Sequence, residues 1–163
     1  MILDKYSYLD TQLNFSGTNT FLPNYSFGNE LFYNPNSNTF SAGVKYNSYN
    51  SSSSTLLILG WRYDFEPVYM GIKETLTLAE TTPGYATKVY VGVKSQRHRT
   101  ELGYTTGTSV EDSAVTKQVY FHQVDGSFNY RINLLTEIGF RISDYQSDSL
   151  NQRGYYLNIL FKY

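Results

Sequence analysis

Residues 57–63 read LILGWRY, and their alternation indicates a β-strand with two different faces. Every second residue from Leu57 to Tyr63 is apolar, whereas Gly60 and Arg62 fall between the apolar positions. Side chains alternate sides along a strand, so the apolar residues share one face and the glycine and the charge share the other. This stretch therefore predicts a sheet with one face toward an apolar medium and one face toward a polar space.

The same period of two recurs along nearly the whole chain and predicts about ten strands. We place them at 6–16, 21–33, 39–49, 55–64, 67–81, 86–95, 98–107, 116–129, 134–145 and 154–163. The connections form two alternating sets, one at 34–38, 65–66, 96–97 and 131–133, the other at 17–20, 50–54, 82–85, 108–115 and 146–153. Because the second set contains the two longest connections, the pattern predicts a closed transmembrane antiparallel up-and-down β-barrel of roughly 8–12 strands.

The composition agrees with a barrel that lies in a membrane. Only 17% of the 163 residues are charged, whereas soluble domains carry about 25%. The mean hydropathy of −0.41 is compatible with a barrel, since only every second residue of a strand faces lipid. The length predicts one domain over 1–163, the net charge of −1 argues against a nucleic-acid partner, and the lack of cysteine excludes a disulfide framework. We expect no cofactor and no metal.

Seven predicted strands carry a glycine on the face opposite the apolar one, two residues from a charge. The sets are Gly28 with Glu30, Gly43 with Lys45, Gly60 with Arg62, Gly71 with Lys73, Gly92 with Lys94, Gly103 with Glu101, and Gly139 with Glu137 and Arg141. Glycine weakens a strand unless a bend or a close approach requires it. We therefore expect this face to line a narrow barrel, with each charged side chain lying over the gap at its neighbouring glycine.

The charges on this face predict an ion-paired layer across the lumen, because unpaired charges in a confined space are costly. The layer is predicted to contain Glu30, Lys45, Arg62, Lys73, Lys94, Arg99, Glu101, Glu137 and Arg141. With Lys88 and Lys162 added, the inner wall is expected to be basic on balance. A barrel of so few strands is nearly filled by side chains, so we expect a plug rather than a wide, porin-like pore.

Aromatic residues gather near both ends of the predicted strands, as in the girdles at the two membrane interfaces. One band contains Tyr33, Phe40, Tyr63, Phe65, Tyr130 and Tyr163, and the other contains Phe21, Tyr49, Tyr85, Tyr145 and Tyr155. Glu74 interrupts the apolar face of the fifth strand, and we expect a bulge near Lys73 to turn it inward. The register of the eighth strand stays open.

The two histidines, His98 and His122, are the candidates for catalysis, but the pattern favours a protein that is not an enzyme. Asp125 and Ser127 fall on the face opposite His122 in a regular strand, and His98 lies in a turn. The first alternative is an outer-membrane enzyme acting on lipid or peptide at the barrel rim. The second is a soluble, lipocalin-like binding barrel, in which Leu59 and Trp61 would face inward.

The final strand, GYYLNILFKY at 154–163, resembles the C-terminal targeting signal of bacterial outer-membrane proteins. Its alternate positions end in a terminal aromatic residue, and they are Tyr155, Leu157, Ile159, Phe161 and Tyr163. The resemblance implies recognition by the barrel-assembly machinery. Residues 1–5 lack a signal-peptide pattern, so we expect a mature or trimmed form, or a fragment of a barrel.

Four further stretches are LPNYSFG at 22–28, FSAGVKY at 40–46, LGWRY at 59–63 and LGYTTG at 102–107. Because of these four stretches, the region from Phe21 to Gly107 resembles the YaiO-type outer-membrane β-barrel family. The resemblance implies a location in the outer membrane of a Gram-negative envelope, in contact with lipid and lipopolysaccharide. Some members of the family are associated with exopolysaccharide systems, so the resemblance also implies a connection to envelope-polysaccharide export. The alternation, the aromatic bands and the final strand themselves favour a structural, binding or export-related role without catalysis.

Overall fold

The structure is a computed structural model that describes residues 5–15, 24–49, 52–79, 83–111, 117–133, 136–148 and 150–161. These residues form ten β-strands. The strands are β1 (Ser7–Phe15), β2 (Tyr25–Tyr33), β3 (Asn38–Ser48), β4 (Ser53–Phe65), β5 (Val68–Ala79), β6 (Gly84–Lys94), β7 (His98–Glu111), β8 (Lys117–Arg131), β9 (Thr136–Ser147) and β10 (Asn151–Phe161). Within these residues there is no helix that is long and apolar enough to cross a membrane.

The ten strands form one antiparallel sheet in which each strand pairs with its neighbours in chain order. The predicted strand number and the up-and-down topology are therefore confirmed. Among the described residues the pairings run from β1 to β10, and none joins β10 back to β1. The sheet of the described residues is accordingly a curled half-barrel, and the closure that the sequence predicts is not seen among them.

The curl of the sheet shows which face is concave. Lys73 on β5 contacts Glu30 on β2, with Nζ and Oε1 separated by 2.8 Å. These strands are three positions apart, and neighbouring strands lie about 4.8 Å apart in a sheet. The two side chains can meet because the sheet curls around them. The face that carries Lys73 and Glu30 is therefore the lumen wall.

The convex face is apolar and exposed. Leu59 is 63% exposed, and Trp61 lies on the same face, where its Nε1 donates a hydrogen bond to Asn38 Oδ1 at 3.0 Å. The soluble, lipocalin-like alternative is wrong, because it requires Leu59 and Trp61 to face inward. Extended apolar surfaces of this kind mark contact with lipid or with another protein.

Short turns join the strands at one end of the sheet, which we call the turn end. In the turn between β2 and β3, Asn36 has a φ of 57°, a left-handed conformation that asparagine tolerates. At the opposite end, the loop end, the predicted loop over 146–153 is too long. Gln146 pairs with Asn151, so β9 and β10 continue almost to their connection.

Two open points of the sequence are settled by the register. β5 has no bulge, since Glu74 pairs with Thr87 in an unbroken ladder, and the expected inward turn of Glu74 is wrong. Glu74 faces outward, where Thr87 Oγ1 donates a hydrogen bond to its carboxylate at 2.8 Å. On β8, Val119 and Phe121 are buried on the concave face.

The aromatic band at the turn end lies on the convex face, and its described members are Tyr33, Phe40, Tyr63, Phe65 and Tyr130. At the loop end the exposed outward tyrosines are Tyr25, Tyr85, Tyr120 and Tyr155. Tyr145 was expected in that band, but it faces the lumen and stacks on Phe121 with ring centroids 5.2 Å apart. Phe21 and Tyr163 lie outside the described residues.

Candidate functional site

The concave face carries the glycines that the sequence singled out, but the gaps beside them are filled differently from the prediction. A Cβ at Gly92 would meet the ring of Tyr69, and a Cβ at Gly71 would meet the ring of Tyr90 at 2.5 Å. At Gly43 the nearest side chain is Glu30, which lies on the neighbouring strand. The gaps thus accommodate side chains from adjacent strands rather than the charged neighbour two residues along the same strand.

A first group of ion pairs joins β2 to β6. Lys73 binds Glu30, while Asp64 accepts contacts from Arg62 at 3.1 Å and from Lys94 at 3.3 Å. Arg62 Nη2 also donates to Thr39 Oγ1 at 3.2 Å. The strand alternation positions all of these side chains, since they occupy inward sites on five consecutive strands.

A second group is centred on Tyr69, which is 1% exposed. Arg99 Nε donates to the Tyr69 hydroxyl at 2.7 Å, and that hydroxyl donates to Glu101 Oε2 at 3.0 Å. Arg99 Nη2 contacts the same carboxylate at 2.8 Å, and the Arg99 guanidinium lies 4.8 Å from the centre of the Tyr69 ring. The Tyr69 hydroxyl therefore holds the Arg99 guanidinium and the Glu101 carboxylate in position against each other.

A third group extends the layer to β9 through one buried acid. The Asp125 side chain is 3% exposed, and its Oδ2 lies 3.0 Å from Lys88 Nζ and 3.7 Å from Arg141 Nη2. Lys88 also contacts Glu101 Oε1 at 3.3 Å, which links this group to the Tyr69 group. Such an arrangement holds charges in place and leaves none of these carboxylates without a cationic neighbour.

The structure brings together seven residues of the predicted layer in ion pairs, and they are Glu30, Arg62, Lys73, Lys94, Arg99, Glu101 and Arg141. Glu137 shares their face and lies opposite Arg131 in register. Lys45 also faces the lumen, but no carboxylate of the described residues lies within ion-pair distance of it. Lys45 lies outside the ion-paired layer, nearer the loop end of β3.

Sequence reasoning missed Asp64, Asp125 and Tyr69 as members of the layer. Asp64 continues the inward series of Gly60 and Arg62, so alternation alone could have identified it. Asp125 was missed because the register of β8 was open. With these acids and Asp10 on the concave face, the basic excess of the described inner wall is smaller than the sequence suggested.

A cavity of about 290 Å³ lies beside the charged layer. Its lining comes from β1 to β7 and includes the side chains of Tyr8, Phe32, Arg62, Lys73, Lys88 and Arg99. Tyr8 and Phe32 stack on each other with ring centroids 4.7 Å apart and an interplanar angle of 5°. The layer is thus not completely filled at its β1 side.

The histidines lie away from this layer. His122 Nδ1 is 2.8 Å from the Tyr104 hydroxyl and 3.2 Å from Thr106 Oγ1, on the convex face. His98 Nδ1 is 2.8 Å from Ser95 Oγ at the turn end. The described residues hold no group of three histidine or carboxylate side chains placed to bind a metal ion.

The predicted assembly signal lies on β10, and three of its members are exposed on the convex side. These residues are Tyr155, Leu157 and Ile159. The side chain of Phe161 and the whole of Tyr163 lie outside the described part of the chain. The alternation of the final strand thus presents its apolar residues away from the lumen.

Comparison with known proteins gives one family assignment. The sequence model of the YaiO membrane beta barrel domain matches residues 3–112, more than half of the chain, a stretch that extends from β1 to β7. No curated protein matches the chain. The match agrees with the exposed convex face and the charged lumen, and the chain belongs to the YaiO family of membrane β-barrel domains.

Proposed function

We propose that this domain is a non-enzymatic barrel of the bacterial outer membrane whose lumen is restricted by the ion-paired layer. Its role is structural, binding or related to the export of envelope polysaccharide, rather than that of a wide porin-like channel. One observation carries the proposal, namely the three groups of ion pairs that lie across the concave face, from the Glu30–Lys73 pair on one side to the Asp125–Arg141 pair on the other. Breaking these pairs would leave the largely buried acids without cationic partners, so the layer resists opening.

The outer membrane is the proposed location because of the convex face and the final strand. Exposed apolar side chains lie between two aromatic bands, as expected for contact with lipid and lipopolysaccharide. The outward alternation of Tyr155, Leu157 and Ile159 supports recognition by the barrel-assembly machinery. Exopolysaccharide is the proposed solute, which the family resemblance suggests.

The proposed lack of catalysis is supported by the contacts of the histidines. The ring of His122 stacks on Tyr104 with centroids 6.0 Å apart, and the ring of His98 stacks on Phe128 at 6.5 Å. Asp125 and Ser127 lie on the opposite face of β8 from His122. Single His98→Ala and His122→Ala variants should leave lipid A structure and proteolysis unchanged in cells that produce them.

The test combines location with conductance. The protein should fractionate with the outer membrane, migrate differently on a gel before and after heating, and conduct poorly in planar bilayers. Arg62→Ala and Lys94→Ala each remove a cation from Asp64 and should raise conductance, whereas Lys45→Ala, outside the ion pairs, should not. A monomer that is soluble without detergent, or a large stable conductance in the unmutated protein, would refute the proposal.

A further inference from the structure

In the ion-paired layer the acidic side chains are more deeply buried and the basic side chains are more exposed. In every ion pair of the described residues the basic side chain is more exposed than the acidic one. Arg99 is 44% exposed against 15% for Glu101, and Lys73 is 32% exposed against 12% for Glu30. The wall therefore shows a cationic surface to whatever enters the lumen.

This cationic surface meets an aromatic surface in the cavity beside the layer. The cations Arg62, Lys73, Lys88 and Arg99 line the same 290 Å³ space as the stacked rings of Tyr8 and Phe32. Ser41 adds a hydroxyl to the lining, and Asp10 and Glu101 add carboxylates. The cavity thus offers charge-assisted donors, an aromatic pair and hydrogen-bond acceptors within a single space.

We propose that this cavity binds a small sugar acid, that is, a pyranose that carries a carboxylate. Its carboxylate would lie against the ammonium of Lys73 and the guanidinium of Arg99, which retain donors after pairing with Glu30 and Glu101. The C–H face of its ring would pack on the aromatic wall, and its hydroxyls would meet Ser41 and Asp10. The inference rests on the proposed function, because it names the class of solute that the restricted lumen holds.

The rings argue against a simple inorganic anion as the solute. An inorganic anion would use the cations but would gain nothing from Tyr8 and Phe32. A neutral sugar would use the rings but would make no charge-assisted contact with the donors that the ammonium and guanidinium groups retain after ion pairing. A ligand that carries both features satisfies both halves of the lining, which is the usual basis of specificity in a ligand pocket.

The test uses the full chain folded in detergent micelles and titrated calorimetrically with glucuronate, glucose and acetate. Glucuronate should bind about tenfold more tightly than either glucose or acetate, since a charge-assisted contact and a stacking contact are both required. Phe32→Leu should weaken glucuronate binding and leave acetate binding unchanged. The paired variant Glu30→Gln with Lys73→Gln removes one cation without leaving an unpaired acid, and it should also weaken glucuronate binding.

Lys45→Gln is the matched control, since Lys45 is a lumen cation that does not line the cavity, and it should bind glucuronate like the unmutated protein. Equal affinities for glucuronate and acetate, or for glucuronate and glucose, would overturn the assignment. Heat-modifiable migration shows that each variant is folded. A chain that inserts in the outer membrane and conducts poorly, but binds no glucuronate, refutes this inference and leaves the proposed function intact.

Discussion

The two halves of the inner wall are built from different chemistry. The half toward the turn end holds the ion pairs, together with Tyr69 and the glycines that make room for the rings. The half toward the loop end holds uncharged buried side chains, among which Ser26, Asn47, Ser54 and Ser143 are short and polar. On β8 and β9 this half also holds the stacked rings of Phe121 and Tyr145. Paired charges therefore restrict the lumen at the turn end, whereas neutral side chains and rings line it toward the loop end.

The largest expected effect comes from removing the acid that the layer buries most deeply. Asp125→Ala leaves Lys88 and Arg141 facing each other without their shared carboxylate. We expect the free energy of unfolding to fall by about 3 kcal/mol, since two charge-assisted contacts to a buried carboxylate are lost, although Lys88 keeps its contact with Glu101. Urea unfolding in detergent micelles, followed by tryptophan fluorescence, measures this change.

The control for Asp125 is Ser143→Ala, a buried polar residue on the concave face of the loop-end half. It should cost no more than about 1 kcal/mol, the net value of an ordinary hydrogen bond. Equal losses in the two variants would show that the halves do not differ in how strongly they hold their polar groups.

The second effect concerns packing in the turn-end half. Gly92→Ala places a methyl group against the Tyr69 ring and 2.6 Å from the carbonyl oxygen of Thr100, so one of them must move. We expect a loss of about 2 kcal/mol, within the usual range for overpacking. Gly126→Ala is the matched control, because its added Cβ meets only the Leu102 side chain at 3.4 Å. The two unfolding midpoints should differ clearly, and coincident midpoints would contradict the tight packing.

Most of the fold was predictable because one physical signal repeats ten times. Alternation identifies each strand and its two faces, and the glycines and charges identify which face lines the lumen. Residues 146–153 escaped prediction for a local reason. Their polar composition suggests a loop, yet the pairing of Gln146 with Asn151 continues β9 to Ser147 and starts β10 at Asn151.

The composition of the charged layer was less predictable than its existence. Alternation places Arg62 and Lys73 on the lumen face, but it cannot say which acid each one meets, because partners lie up to three strands away. For Glu74, by contrast, the contact that the sequence did not reveal is on the adjacent strand. Its carboxylate accepts a hydrogen bond from Thr87 on the convex face, a contact on the neighbouring strand that removes the need for a bulge.

The third effect isolates the hydroxyl at the centre of the layer. Tyr69→Phe keeps the ring beneath Arg99 but removes the hydrogen bonds to Arg99 and Glu101. We expect a loss of about 1–2 kcal/mol, because both bonds involve charged groups but the Arg99–Glu101 contact persists. The same unfolding measurement tests it, and a loss equal to that of Asp125→Ala would mean that the hydroxyl, rather than the ion pairs, holds the layer.

The smallest effect is expected at Lys45, the cation that distinguishes the loop-end half from a wholly neutral wall. Lys45 is half-buried beside Gly28, and a Cβ at that glycine would lie 3.2 Å from Lys45 Cγ. Lys45→Gln keeps most of the side chain's length and breaks no ion pair of the described residues, so stability should change by less than about 0.5 kcal/mol. The reversal potential of the residual conductance in a salt gradient should move slightly toward cations, because one fixed positive charge nearer the loop end is lost. The double variant Glu30→Gln with Lys73→Gln should move it less, since it removes one positive and one negative charge from the same ion pair. A stability loss above about 1 kcal/mol for Lys45→Gln would mean that the loop-end half also depends on paired charge, and the difference between the halves would then be one of degree.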